Sequence, residues 1–325
     1  MRYIYNQSTD PTFNLAAEER LLTQSEDEIF MLWRNEPAVI VGRNQNTLAE
    51  IDELFIRERG IPVVRRLSGG GAVFHDLGNI NFTFIRNATP SEGLDFQRFT
   101  EPIQQALQSM EVECEFSGRN DLLIKGKKFS GNAQHFHGGR ILHHGTLLFA
   151  SDMADLSGAL RVAPEKYRDK AVKSVRSRVT NISSHLPEPM EVTDFIAALM
   201  DFVSQGEAPD LMTLSEGETA LIETLAEKRY RTWDWNFGSS PAYNFTRRTR
   251  TPGGLLDVHL HVKKGHIEKV RLYGDYFGVR DVSELEAMLL DCRHQRNALE
   301  SRLADVPLGE FIHEVPLSIF LDCLF

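Results

Sequence analysis

The most informative stretch of the sequence runs from Arg65 to Asn79 and reads Arg-Arg-Leu-Ser-Gly-Gly-Gly-Ala-Val-Phe-His-Asp-Leu-Gly-Asn. Three consecutive glycines, Gly69 to Gly71, follow a pair of arginines. Glycine reaches backbone conformations that other residues avoid and lets main-chain N–H groups approach an anion closely, while arginine adds a fixed positive charge. A plain turn needs one or two glycines at most. The stretch therefore favours an anion-binding loop over a hairpin turn with two surface arginines.

This glycine run matches none of the familiar phosphate-binding patterns. Gly69 to Gly71 are followed by Ala-Val-Phe at 72–74, so the run has neither the lysine of a Walker motif nor the third glycine of a dinucleotide-binding loop. Ser68 does not fit the nucleophile elbow of hydrolases, because the position two residues before it is Arg66. We interpret Ser68 as a hydroxyl that contacts a ligand or shapes the turn.

A second cluster of glycines and charges lies downstream, in pieces separated by short apolar runs. The pieces are Ser117-Gly-Arg-Asn-Asp121, Lys125-Gly-Lys-Lys-Phe-Ser-Gly-Asn-Ala133 and His143-His-Gly-Thr146. Short runs divided by glycine turns are typical of an antiparallel meander. Neighbouring strands bring alternate residues onto one face of a sheet. We therefore expect Asn120 or Asp121, Lys128 and His144 to line one cleft.

Lys128 is the strongest candidate for a catalytic group. It lies inside a predicted strand, beside Phe129 and a Ser-Gly pair, where its ammonium can reach a buried phosphate or carboxylate. The alternative is a solvated turn lysine, which is how we interpret Lys125 and Lys127.

Both clusters, in this order, resemble the lipoate-protein ligase A family. The matching positions extend over nearly the whole chain and are Asp10 to Ala16, Val41 to Asn46, Arg66 with Ser68 to Asn79, Gly118 to Asp121, Lys128 to Gly131, His143 to Thr146, Ser174 to Asn181 and Trp233 to Gly238. The resemblance implies an α+β fold with a mixed or antiparallel sheet and flanking helices, as in class II synthetase-like biotin/lipoate ligases. We expect a catalytic domain at 1–241 and a small α+β accessory domain at 242–325, because the strand pattern restarts after Pro241 with a hairpin around Lys263-Lys-Gly265.

The resemblance also implies a two-step reaction. The carboxylate of lipoate attacks the α-phosphate of ATP to give lipoyl-AMP and pyrophosphate, and a lysine of an acceptor domain then attacks the mixed anhydride. This chemistry asks for positioning and charge stabilisation more than for an enzyme nucleophile. The implied cofactors are ATP and Mg²⁺. The implied acceptors are the lipoyl domains of 2-oxoacid dehydrogenase E2 proteins and the glycine cleavage H protein.

Site residues of the family carry over to matching positions of this chain. Those expected to bind ATP are Arg66, Gly71, Ala72, Val73, Phe74, Asn120, Asp121, Lys128 and Arg176. Those expected to bind lipoate are Arg43, Ser68, Gly70, His75, Lys128 and His144. Asp121 is the expected Mg²⁺ ligand. Lys128 is expected to contact both the lipoate carboxylate and the α-phosphate, which makes it the expected catalytic residue.

The main alternative is an ATP-independent octanoyl or lipoyl transferase of the same fold, which uses a cysteine nucleophile. The cysteines of this chain are Cys114, Cys292 and Cys323. None lies between Lys128 and Gly158, where such a thiol would have to meet the lysine. From a different class, a catalytically silent module that binds carrier domains would not need the arginine, glycine and lysine motifs quoted above.

Bulk composition is typical of a globular protein, with 42% hydrophobic and 25% charged residues. A formal net charge of −10 argues against a general nucleic-acid binder. Three scattered cysteines are too few for a disulfide framework and indicate a reducing compartment. We find neither an apolar signal segment nor a run as long as a membrane helix. The sequence therefore predicts a cytoplasmic protein that binds neither membranes nor nucleic acid.

Overall fold

The computed structural model describes residues 1–88, 95–118, 120–160, 167–168, 179–206 and 213–325. These described residues divide into two compact units. The first unit draws on Met1–Arg43, Phe55–Leu160 and Lys173–Thr232, and the second on Asn44–Leu54, Arg161–Val172 and Trp233–Phe325. The segment Asn44–Leu54 thus belongs with the C-terminal part of the chain. The expected domain boundary at 241 stays a prediction.

Two sheets form the frame of the first unit. Its strands are β1 (Arg2–Asn6), β2 (Ile29–Trp33), β3 (Ala38–Val41), β4 (Val63–Arg65), β5 (Val73–His75), β6 (Asn79–Asn87), β7 (Glu115–Ser117), β8 (Asp121–Ile124), β9 (Lys127–His137) and β10 (Arg140–Leu148). Seven of them form a sheet of order β1-β2-β6-β10-β9-β8-β7, and three form a sheet of order β4-β3-β5. The pairs β1–β2 and β3–β4 are parallel and the others are antiparallel. The mixed sheet expected from the sequence is confirmed.

Helices flank these sheets. They are α1 (Pro11–Gln24), α2 (Glu53–Glu58), α3 (Phe96–Ser109), α4 (Met153–Ala159), α5 (Val192–Ser204) and α6 (Glu216–Leu225). Helix α1 begins where Asp10 accepts a hydrogen bond from the N–H of Thr12 at 2.8 Å, with Pro11 in the first turn. Helix α3 buries Phe99, Ile103 and Leu107, which are each four residues apart and so lie on one face.

The seven-stranded sheet separates the core from the candidate site. On β6, Ile80, Phe82 and Phe84 belong to an apolar cluster that includes residues of α3 and α5. Successive side chains of a strand point to opposite faces, so Asn81 and Thr83 point to the other face. His143 lies on the core face, stacked on Phe99 at 4.9 Å and on Phe82 at 5.8 Å. Burial lowers its pKa well below the usual value, and this histidine is part of the core.

The second unit contains an antiparallel sheet of order β11-β12-β13-β14, formed by β11 (Tyr167–Arg168), β12 (Tyr243–Thr251), β13 (Gly254–Lys263) and β14 (His266–Gly274). Its helices are α7 (Val282–Leu289), α8 (Arg296–Leu303), α9 (Leu308–Phe311) and α10 (Leu317–Cys323). Lys264 and Gly265 connect β13 to β14 with φ of 51° and 74°. Two consecutive positive φ angles are those of a type I′ turn, and they confirm the predicted hairpin. None of the described helices is both long and apolar enough to cross a membrane.

Candidate active site

The glycine loop joins β4 to β5, the two strands that flank β3. Arg66 is 6% exposed, and its guanidinium donates to Ser68 Oγ at 3.1 Å and to the carbonyls of Ile40 at 3.1 Å, Gly69 at 2.6 Å and Gly71 at 2.8 Å. Burial lowers its pKa to about 10, so it stays charged at neutral pH. Arg66 therefore braces the loop from inside. Its expected contact with ATP stays a prediction.

Two glycines meet where the loop crosses the end of β3. A Cβ atom on Gly42 would lie 2.2 Å from the carbonyl oxygen of Gly70, well inside van der Waals contact. Gly70 itself has a φ of 93°, which L residues rarely adopt. Next to them, the N–H of Arg43 donates to the carbonyl of Ser68 at 2.8 Å. The predicted lipoate residues Arg43, Ser68 and Gly70 are thus neighbours in the fold.

A series of buried hydrogen bonds begins at Ser68 and stays within the first unit. Ser68 Oγ lies 2.6 Å from Nε2 of His144, and Nδ1 of His144 lies 3.0 Å from both carboxylate oxygens of Glu18. Glu18 also accepts from the hydroxyl of Thr83 at 2.6 Å, and that hydroxyl accepts from Nε1 of Trp33 at 2.9 Å. Because a carboxylate only accepts, Nδ1 of His144 carries a hydrogen and the orientation of the ring is fixed.

The order serine, histidine and glutamate is that of a hydrolase triad. Ser68, however, lies in a loop between two strands, whereas the nucleophile elbow joins a strand to a helix. Its hydroxyl also accepts a hydrogen bond from Arg66. We therefore interpret this hydrogen-bonded series as a polar wall that positions the glycine loop; its residues are Ser68, His144, Glu18, Thr83 and Trp33.

Sequence reasoning missed Glu18, Thr83 and Trp33. A signal for Glu18 was present, because Asn14 and Glu18 are four residues apart in a helix whose buried face also carries Leu21 and Leu22. Polar residues on the apolar face of an amphipathic helix are seldom buried without partners. The partners themselves lie far away in sequence and give no local pattern.

An irregularity in β9 brings Lys128 to the site. Leu122 of β8 pairs with Ser130, but Leu123 pairs with Lys128, so β9 carries Phe129 as an extra residue opposite β8. In a regular strand Lys128 would share a face with Ser130. The bulge turns Lys128 to the opposite face, and Phe129 is fully buried in the core.

Lys128 and Asp121 form an ion pair on that face. Nζ lies 2.7 Å from Oδ1, and the two side chains are 26% and 32% exposed. Gly131 leaves room for the lysine, since a Cβ atom there would lie 2.9 Å from Nζ. A partly exposed pair of this kind contributes little to stability. The ammonium can therefore exchange Asp121 for a phosphate or carboxylate at small cost.

The expected common face of Asp121, Lys128 and His144 is confirmed by the strand register. Gly131 pairs with Asp121, and Ala133, two residues further along the same strand, pairs with His144. These residues occupy two separate positions on the face, with Lys128 at one and His144 at the other. Asn120 donates its side-chain amide to the carbonyl of Asn132 at 2.6 Å. Its contact with ATP stays a prediction.

His75 ends β5 and is 3% exposed. Its ring lies edge-on to Trp33 at 6.0 Å, and its Nδ1 is 3.0 Å from Nδ2 of Asn35. Burial lowers its pKa to about 3, and the positive charge of Arg66 acts in the same direction. His75 is therefore neutral at physiological pH. It lies at the His144 end of the site.

Of the other residues expected to bind ATP, four lie in the glycine loop or in β5, and one is not described by the structure. Val73 and Phe74 pair with Ile40 and Val39 of β3, and Gly71 and Ala72 precede them in the loop. Arg176 lies outside the described residues. The contacts of these residues with a nucleotide stay predictions.

The expected magnesium ligand is Asp121. Within the described ranges, no group of three or more His, Cys, Asp or Glu residues could hold a metal ion. Mg²⁺ is commonly held by one or two carboxylates together with phosphate oxygens and water. A single carboxylate already paired with Lys128 fits an ion that arrives with a nucleotide, and it does not fit a metal centre built by the protein alone.

Comparison with known proteins gives a consistent result over the whole chain. The family model of the lipoyl protein ligase A/B catalytic domain matches residues 10–204, and that of the bacterial lipoate protein ligase C-terminus matches residues 240–324. Lipoate-protein ligase LplJ of Bacillus subtilis (strain 168) is 42% identical, with 100% of both chains covered. Lipoate–protein ligase 1 of Staphylococcus aureus (strain Mu50) is 41% identical, with 97% of each covered.

Solved structures share the fold. Lipoate-protein ligase A bound with ATP has a TM-score of 0.60 and 25% identity, covering 73% of this chain and 98% of that one. LipL1 of P. falciparum in complex with lipoate has a TM-score of 0.63 and 23% identity, covering 99% of this chain and 97% of that one. With matches to both family models and relatives above 40% identity over at least 97% of their length, this chain belongs to the lipoate-protein ligase family.

Proposed function

We propose that the chain is an ATP-dependent lipoate-protein ligase that forms lipoyl-AMP and then transfers the lipoyl group to a lysine of an acceptor domain. The observation that carries this proposal is Lys128, which the bulge in β9 turns out of the core and onto the face of Asp121. A related ligase A is known with bound ATP, and LipL1 with bound lipoate. Both ligands fit a site with one ammonium and a glycine-rich loop.

In the first step, a carboxylate oxygen of lipoate forms a bond to the α-phosphorus of ATP, and pyrophosphate leaves. Lys128 would leave Asp121 and contact both the carboxylate and the α-phosphate, which brings the two anions together and stabilises the negative charge of the transition state. Mg²⁺, with Asp121 as one ligand, would neutralise the phosphates. In the second step, the amine of the acceptor lysine attacks the acyl carbon, and AMP leaves.

Roles for the remaining residues follow from their places. We assign Arg66, Gly71, Ala72, Val73 and Phe74 to the nucleotide, together with Asn120, Asp121 and Lys128, and Arg176 by resemblance. We assign Arg43, Ser68, Gly70 and His144 to lipoate, because the contacts described above place them around the Ser68–His144 hydrogen bond, and we assign His75 to lipoate by resemblance.

The acceptors we propose are lipoyl domains of 2-oxoacid dehydrogenase E2 proteins and the glycine cleavage H protein. The bi-partite ligase of Thermoplasma acidophilum, 24% identical to this chain, has been studied with its E2 lipoyl domain. Acceptor domains would be modified on one exposed lysine, and transfer from lipoyl-AMP to an isolated lipoyl domain would be detected as a gain in mass.

The cysteines argue against the transferase alternative. Burial raises the pKa of Cys114 to about 11, and it also raises the pKa of Cys292 and Cys323. A nucleophilic cysteine needs a lowered pKa, because the thiolate is the reactive form. All three thiols are unpaired, which is typical of a reducing compartment, and we propose that the protein is cytoplasmic.

The proposal is tested by lipoate-dependent exchange of labelled pyrophosphate into ATP. We expect exchange by the wild type and a loss of about 100-fold or more in Lys128→Ala, because one charge that contacts both reacting groups is removed. Lys127→Ala is the matched control, since Lys127 is the preceding residue of the same strand and is exposed. Near-normal exchange by a folded Lys128→Ala would refute the role of this lysine. A folded wild type without exchange would favour the carrier-dependent transferase.

A further inference from the structure

Nε2 of His75 has no hydrogen-bond partner among the residues that the structure describes. The side chain is 3% exposed, so water does not readily replace the missing partner. Nearly all buried polar groups in proteins are hydrogen-bonded, and each exception calls for an explanation. What Nε2 can bind depends on whether it carries a hydrogen. The hydrogen bonds of the neighbouring asparagines determine its protonation.

The orientation of these amides is fixed by the backbone. Nδ2 of Asn14 lies 2.9 Å from the carbonyl oxygens of both Ser8 and Arg34. Carbonyl oxygens only accept, so the nitrogen of Asn14 must be on that side. The same nitrogen is 2.8 Å from the amide of Asn35. Its two hydrogens are shared among three acceptors, and an amide nitrogen of Asn35 at this distance would oppose donor to donor, so the nearer atom of Asn35 is Oδ1. Nδ2 of Asn35 must then face His75.

The hydrogen bonds of Asn6, at the other end of this series of asparagines, give the same amide orientation. The N–H of Ser8, which only donates, points to Oδ1 of Asn6 at 3.3 Å, and Nδ2 of Asn6 donates to Oδ1 of Asn14 at 2.7 Å. Asn6, Asn14 and Asn35 are all buried, and their hydrogen bonds run in one direction. Because Asn35 donates to Nδ1 of His75, Nδ1 is a lone pair. A neutral imidazole then carries its hydrogen on Nε2.

The unpaired donor lies at the end of the site away from Lys128. His75 contacts Trp33, and Trp33 donates to Thr83, the residue of β6 that pairs with His144. His144 pairs with Ala133, five positions along β9 from Lys128. At about 3.3 Å per residue and 4.8 Å between strands, the two backbone positions are at most about 17 Å apart. An acid activated at Lys128 and extended along this face would place its distal end near His75.

We propose that Asn6, Asn14 and Asn35 fix His75 as an Nε2–H donor to the sulfur-bearing end of lipoate, and that this hydrogen bond selects lipoate over octanoate. The inference rests on the proposed function. A ring sulfur is a weak acceptor, whereas the terminal methyl group of octanoate accepts nothing and leaves the donor unpaired. His75 is the specificity-determining residue, and the asparagines are positioning residues that act through it.

The test reverses the hydrogen bond between residues 35 and 75. Asn35→Asp keeps the shape and still accepts from Asn14, but it cannot donate, so the hydrogen of His75 moves to Nδ1 and Nε2 becomes an acceptor. We would record the tautomer of His75 by long-range ¹H–¹⁵N NMR at pH 8 and measure kcat/KM for pyrophosphate exchange with lipoate and with octanoate. The wild type should show the Nε2–H form. The lipoate/octanoate ratio should fall about fivefold in the variant, because octanoate then no longer leaves a buried N–H donor unpaired.

Two further variants keep the test decisive. His75→Phe removes both nitrogens, so it should lower the lipoate/octanoate ratio to the same extent. Adding Asn35→Asp to His75→Phe should cause no further change in the ratio. If Asn35→Asp fails to fold or retains Nε2–H, the His75→Phe variant alone tests the proposal. Asn244→Asp is the matched control, because Asn244 makes an exposed amide–histidine contact of 2.7 Å with His261 in the second unit. It should leave the ratio unchanged.

The outcomes separate the two proposals. An Nδ1–H tautomer in the wild type, or an unchanged ratio in His75→Phe, would overturn the selectivity mechanism while lipoate-dependent exchange upholds the ligase function. Exchange with neither acid by the folded wild type would overturn both.

Discussion

Replacing Gly42 with alanine should displace the glycine loop. The added Cβ would lie 2.2 Å from the carbonyl oxygen of Gly70 and 3.2 Å from Nη2 of Arg66. The first of these atoms belongs to the backbone of the loop and cannot rotate away. To restore an ordinary contact, Gly70 must move by about 1 Å, which also disturbs the hydrogen bonds that Arg66 makes to the carbonyls of the loop.

The size of the effect follows from this displacement. Overpacking by one methyl group typically costs about 1–3 kcal/mol. For a folding unit of roughly 200 residues, 2 kcal/mol lowers Tm by about 4–8 °C. A misplacement of about 1 Å in a site can reduce the rate by about 100-fold. We therefore expect Gly42→Ala to lose far more activity than stability.

Gly69→Ala is the matched control. Apart from its two neighbours in the chain, no atom of the described residues lies within 4 Å of a Cβ built on Gly69, and its φ is outside the left-handed region. This variant should melt within about 1 °C of the wild type, in line with other surface substitutions, and should retain exchange activity. The measurements are thermal unfolding by circular dichroism and lipoate-dependent pyrophosphate exchange. Equal behaviour of the two variants in both assays would refute the close approach of Gly42 to Gly70.

Two further predictions concern buried cations and histidines. Arg66→Lys should lower the free energy of unfolding by about 2 kcal/mol in a urea titration, because an ammonium cannot reproduce four hydrogen bonds to dispersed acceptors; an unchanged midpoint would contradict the bracing role. Burial lowers the pKa of His294 to about 4, below the value of 6.5 expected in the unfolded chain. The contribution of neutral His294 to the free energy of unfolding is therefore complete above pH 6.5 and is lost as the pH falls towards 4. About 2 kcal/mol of this contribution is lost between pH 7 and pH 5. His294→Gln should remove this part of the acid sensitivity, and an equal loss in wild type and variant would exclude His294 as its source.

Local features of the sequence were enough to locate much of the fold and part of the candidate site. The apolar residues between Asp95 and Met110 recur at the spacing of a helix, which is sufficient to indicate α3, because a helix repeats every 3.6 residues whatever surrounds it. Lys264-Gly265 predicted a hairpin turn, because positive φ angles favour particular residues. The glycine run at 69–71 marked the loop for the same reason. These are properties of neighbouring residues, so they can be read without the rest of the chain.

The tertiary structure alone decided which side chains meet and which way they face. Alternation along β9 would have directed Lys128 towards the core, and only the pairing with β8 reveals the bulge at Phe129 that turns it to Asp121.

The tertiary structure also decides the contacts of the polar wall and of the hydrogen-bonded series that links Asn6, Asn14, Asn35 and His75. Glu18 and His144 are 126 residues apart, Ser68 and His144 are 76 apart, and Asn35 and His75 are 40 apart. Burial determines these contacts, because a polar group removed from water must find a partner wherever the packed chain supplies one. That choice depends on the whole fold, and no local pattern of residues records it.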